Sequence, residues 1–94
     1  MSSWLADRRL RRVQQRLTRA RDRLAATEAE AALFSEQSEE DSLRSLVNDD
    51  GVARAEASES DKHASAARRS LAALRDEIHA LERQRDELLD RRGR

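Results

Sequence analysis

The chain has 94 residues, with 19 basic against 19 acidic side chains and neither Cys nor Pro. A chain of that length holds one small domain; the lack of Cys excludes disulfides and thiolate metal sites, and no stretch approaches the ~20 apolar residues of a membrane span or the apolar core of a secretory signal. Ala, Glu, Lys, Leu and Arg supply 57 residues while Leu, Ile, Val and Phe supply only 17, which favours long helices over a globular core, and the zero net charge argues against disorder.

These features lead us to expect a cytoplasmic, all-α protein. Eighteen Arg against the single Lys62 further suggests GC-rich codons, and so a bacterial or phage origin.

The first arm is expected over residues 3–47. Ser2 and Ser3 ahead of Asp7 offer an N-cap and a first-turn acid. Leu10, Val13, Leu17, Ala20, Leu24, Thr27, Ala31 and Phe34 then recur at spacings of three and four, the pattern of a coiled-coil seam. Residues 35–42 contain no apolar side chain, so the seam is expected to stop there and to resume out of phase at Leu43, Leu46 and Val47. Such a slip fits a coiled-coil discontinuity, a kink or a true break, and Ser38, Glu39, Glu40 and Asp41 resemble a capping box that would open a new short helix.

Asn48-Asp49-Asp50-Gly51 forms the predicted turn. Asn and Asp tolerate the left-handed conformation that ends a helix, Gly reaches it at no steric cost, and the carboxylates can cap the helix that follows. The second arm, residues 52–92, carries Ala53, Ala57, Ser60, Ala64, Ala67, Leu71, Leu74, Ile78, Leu81, Arg85 and Leu88 at heptad spacing, and Gly93 can stop it.

Laid antiparallel, the two seams share one register in which paired positions sum to 98: Leu10 with Leu88, Leu17 with Leu81, Ala20 with Ile78, Leu24 with Leu74, Thr27 with Leu71, Ala31 with Ala67 and Phe34 with Ala64. That register folds the chain back at residue 49, inside the turn found from its chemistry. The sequence therefore predicts a single-domain antiparallel helical hairpin. Arg21 can reach Glu82 and Arg23 can reach Glu77, whereas Arg9 and Arg91 face each other unfavourably. So thin a core calls for a partner, and a strip of small residues, Ala26 and Leu33 beside Ala66, Ala73 and Ala80, is the candidate contact for pairing two hairpins into a four-helix bundle.

Catalysis and cofactors find little support. His63 and His79 lack an acid at zinc-ligand spacing. The turn lacks the remaining ligands of a calcium loop, and no phosphate-binding loop or nucleophile set is present. We expect no enzyme activity, no cofactor and no metal.

Charge carries the functional signal. Residues 1–24 have net charge +6, residues 25–61 have −9 and residues 62–94 have +3. A hairpin thus has a basic base, including Arg8, Arg9, Arg12, Arg16 and Arg19, and an acidic tip, including Asp49 and Asp50. Cations at the start of the first helix and acids near its end oppose the helix dipole, so local helix stability does not explain them. Two hypotheses follow.

The first is a protein–protein assembly or adaptor hairpin that binds itself and other proteins, with charge setting register. The second is a nucleic-acid-linked regulator. In one form the Arg cluster binds phosphates. In the other, the hairpin shape and the acids Asp49 and Asp50 resemble the coiled-coil hairpin factors that enter the RNA polymerase secondary channel with tip carboxylates, which implies an RNA polymerase partner; the zinc ribbon or second globular domain of those factors has no counterpart here. Interfacial membrane binding through Trp4 and Leu5 would rest on one helical turn.

Overall fold

Rich in Ala, Leu, Arg and Glu and free of Pro, the chain carries the residues that cost least in a helix. A computed structural model describes residues 2–93. It contains two helices, α1 (Ser2–Asn48) and α2 (Gly51–Arg92), and no strand among the described residues. The protein is an all-α helical hairpin. α1 already includes Ser2 and has no acid in its first turn, so Asp7 sits one turn later than expected.

The turn is tighter than the predicted four residues. Asn48 ends α1, Gly51 begins α2, and only Asp49 and Asp50 lie between them. Asp49 takes the left-handed conformation, with φ 44°, and its N–H donates to the Ser45 carbonyl at 3.0 Å. Asp50 caps α2: its Oδ1 accepts the Ala53 N–H at 2.7 Å, which satisfies one of the donors orphaned at a helix start. Gly51 does not supply the left-handed residue. Asp49 fills that role because its short polar side chain tolerates the conformation.

By contacts the chain divides into two compact units, Met1–Leu24 with Ala73–Arg94 and Ala25–Ala72. In the first, Val13, Leu17, Ala20, Ile78 and Leu81 form a buried cluster against which Leu24 and Leu88 pack. Leu10 and Leu74 are also buried. The expected partners Leu17 and Leu81, and Ala20 and Ile78, therefore share one core. Arg21 Nη2 meets Glu82 Oε2 at 3.3 Å, as the register requires; an Arg23–Glu77 pair is not among the salt bridges of the described residues.

α1 runs through residues 35–47 without a break, as the expected first arm over residues 3–47 has it. No helix starts at Ser38, and the reading of the seam is corrected: it neither stops nor slips. The sevenfold count from Leu10 and Val13 continues inward through Ser38, Asp41 and Ser45, with Asp41 only 5 % exposed and the two Ser half-buried. Leu43, Leu46 and Val47 instead face outward, 63 %, 79 % and 82 % exposed. An unbroken ladder of i to i−4 hydrogen bonds carries the phase set by Leu17 and Leu24 down the helix. Shifting the inward face would require that ladder to break.

On α2, Ala53, Ala64 and Ala67 are the buried residues of this unit, so its interior is small and polar where that of the other is large and apolar. Phe34 is 37 % exposed and stacks on His63, with ring centroids 5.7 Å apart.

Candidate interaction surfaces

The first unit carries 14 Arg against 8 acids, and the second 11 acids against 5 cations. The resulting charges, +6 and −6, belong to two separately packed bodies. Each body leaves surfaces open that its own packing does not fill.

In the first unit, Arg9, Arg12 and Arg16 of α1 and Arg91 of α2 border a groove of about 270 Å³, lined also by Val13, Leu88, Gln84 and Glu87. A second hollow beside it is lined by Leu5, Arg8, Arg9 and Arg12. Arg9 and Arg91 thus share one groove, as the register implied. None of Arg9, Arg12, Arg16, Arg19 or Arg91 has a salt-bridge partner among the described residues. Arg8 lies over the Trp4 ring, 5.7 Å from its centroid, a cation–π contact at an exposed site. The four Arg of the groove outnumber its one acid, Glu87, so like charges repel there and an anionic occupant would relieve that repulsion.

In the second unit, the exposed Leu43, Leu46 and Val47 recur at i, i+3 and i+4 and so share one face of α1. Val52 is exposed near the start of α2. The tip acids are already engaged: Asp49 Oδ1 accepts from Arg54 Nη1 at 3.3 Å, while Asp50 caps α2. Of the small-residue strip, Ala26, Leu33 and Ala66 in this unit and Ala73 in the other are exposed, and Ala80 is half-buried.

Sequence reasoning missed a buried polar network. Asp41 accepts hydrogen bonds from the Ser60 hydroxyl on α2, from Gln37 Nε2 at 2.9 Å and from Arg44 Nη1 at 3.1 Å. Arg44 also reaches Glu56 at 3.6 Å. The Ser60 hydrogen bond above all, with those from Gln37 and the Arg44 charge, holds the Asp41 carboxyl below the ordinary value of 3.8, against the opposing effect of burial. The signal was present in the chain, since 41 and 38 continue the counts from Val13 and Leu10; a search for apolar residues alone passes over it.

Contrary to the expected lack of a suitably spaced acid, Glu59 stands four residues before His63, at 3.9 Å, and Glu82 three after His79, at 3.3 Å; no group of three metal-ligand side chains occurs among the described residues. No described helix is long and apolar enough to cross a membrane. The fold and surfaces define a charge-segregated helical hairpin. Comparison with models of known families, with characterised proteins and with solved structures finds no match.

Proposed function

We propose that this chain is a non-enzymatic coiled-coil assembly or adaptor protein of the bacterial cytoplasm that binds itself, pairing hairpins into a four-helix bundle, and through its charged surfaces binds other proteins. One observation supports this most directly: five Arg of the basic unit, four of them around an apolar-floored groove, have no salt-bridge partner among the described residues. An acidic body of equal and opposite charge exists in every copy. Pairing the two neutralises both and covers apolar side chains that the hairpin leaves in water. The exposed small residues Ala26, Ala66 and Ala73 suit close helix approach in such a bundle.

Light scattering tests the proposal. The wild-type chain should be at least dimeric at low salt and should dissociate as salt rises from about 0.05 M to about 0.5 M, a range over which the screening length falls from more than 10 Å to a few Å. A monomer that melts cooperatively at every salt concentration would overturn it.

The unpartnered Arg also suit phosphates, which keeps a nucleic-acid reading in view. Binding of that kind would weaken with log salt at a slope of about −0.9 per phosphate neutralised on duplex DNA. The acidic unit repels the same polymer, and we expect no binding to duplex DNA at physiological salt. The RNA polymerase reading would need Asp49 and Asp50 free to act on a partner; Asp50 Oδ1 is taken up in capping α2, whereas Asp49, paired with Arg54 at 3.3 Å, keeps its side chain 82 % exposed, so that reading rests on Asp49.

A further inference from the structure

The self-association proposed above leaves open which surfaces meet. Two stripes on α1 answer each other in length, charge and polarity along the helix. In the acidic unit, Glu36, Glu39, Glu40, Leu43, Leu46 and Val47 follow i, i+3, i+4 spacing and form one exposed outer stripe, acidic at its start and apolar at its end. None of its three Glu forms a salt bridge among the described residues. In the basic unit, Leu5, Arg9, Arg12 and Arg16 also keep helical spacing and border the two hollows, apolar at the start and cationic at the end. Each stripe spans 11 residue steps, about 16 Å at 1.5 Å per residue.

Resting on that reading, we propose that residues 36–47 of one copy dock antiparallel on residues 5–16 of a second copy. In this direction the paired positions sum to 52: Val47 covers Leu5, Leu43 lies against the Arg9 stem and the Val13–Leu88 floor, Glu40 meets Arg12, and Glu36 meets Arg16. Arg stems cover apolar surface while their heads reach the carboxylates. The parallel direction would set Glu36 on Leu5 and Val47 on Arg16, matching neither charge nor polarity. Glu87 at the groove rim opposes an acidic occupant, but Arg9, Arg12, Arg16 and Arg91 outnumber it. The occupant is a second copy because that chain supplies, on one face and in order, the acids and apolar groups that the groove needs.

Because the chain has no Cys, introduced thiols report contacts without background. Full-length Leu5→Cys and Val47→Cys proteins, which keep every charge, are mixed and oxidised mildly; a disulfide requires Cα atoms within about 7 Å. The docking predicts a Leu5→Cys/Val47→Cys heterodimer formed about tenfold faster than the Leu5→Cys/Leu33→Cys pair, and the same preference for Arg9→Cys with Leu43→Cys. Preferential joining of Leu5→Cys with Glu36→Cys would overturn the antiparallel direction. Light scattering on the same samples separates the two levels of failure. An oligomer without preferential cross-links overturns this docking and leaves self-association standing, and a monomer overturns both.

Discussion

Asp41 of α1 and Ser60 of α2 are hydrogen-bonded to one another inside the acidic unit, at positions where the seven-residue repeat elsewhere places Val13, Ala20, Thr27 and Phe34 on α1 and Ala53, Ala67, Leu74, Leu81 and Leu88 on α2. A buried polar pair of this kind adds less to stability than an apolar pair would. It penalises alternative registers, because a shift of either helix leaves a carboxylate buried without its donors.

The pair makes stability depend on acid pH. The folded carboxyl titrates below 3.8, and an unfolded Asp titrates near ~3.9. A lowered folded value contributes stability that is fully present above the unfolded value and is lost as pH falls through the folded one. Thermal melts should therefore show wild type more stable than Asp41→Asn at neutral pH, with the gap closing below about pH 4. A gap that stays constant down to the folded value would contradict the assignment.

The inward and outward faces of α1 can be told apart by truncation. Leu81→Ala, at a side chain 2 % exposed, should cost roughly 2–5 kcal/mol. Leu46→Ser, at a position 79 % exposed, should change the stability of the dissociated chain by less than about 0.5 kcal/mol. Chemical denaturation at high salt, where copies are apart, measures both. A large loss at Leu46 would mean that the apolar out-of-phase residues face inward after all.

The turn offers a gain and a loss. A Cβ added at Gly51 meets nothing within 4 Å, and the residue lies in the helix without a positive φ, so Gly51→Ala should stabilise by about 0.5–1 kcal/mol through the unfolded chain. Asp50→Ala removes the cap on Ala53 and should cost about 1 kcal/mol. Opposite signs from these adjacent positions, read as shifts in Tm, check the assignment of Asp50 as cap and Gly51 as first helical residue.

Much of this architecture was legible before the structure. Heptad spacing in Leu10–Leu24 and Leu74–Leu88 gave the core of the basic unit, and the common register predicted the Arg21–Glu82 contact. What misled was the identity of the residues at 38, 41 and 45. Apolar periodicity reports the inward face only where that face is apolar, and here partners that lie far apart in sequence, such as Ser60, make burial of Asp41 affordable. Leu43, Leu46 and Val47 looked like a resumed core because a large apolar residue turned to water and one turned to a protein partner look the same in a sequence. The basic groove was partly visible as a run of Arg; its Arg91 side and apolar floor required α2 to be in place.

The central claim is that opposite charges on two copies direct their association, and charge-swap complementation measures it most directly. One full-length variant carries Arg9→Glu, Arg12→Glu and Arg16→Glu; the other carries Glu36→Arg, Glu39→Arg and Glu40→Arg. All six side chains are exposed, so both variants should keep wild-type helicity by circular dichroism. Sedimentation equilibrium at low salt should find each variant alone at least about tenfold weaker in self-association than wild type, since like charges now meet. Mixed in equal amounts, the two should associate again through the contact between the Glu-bearing base of the first and the Arg-bearing face of the second. Wild-type association by either variant alone, or no recovery on mixing, would contradict the account.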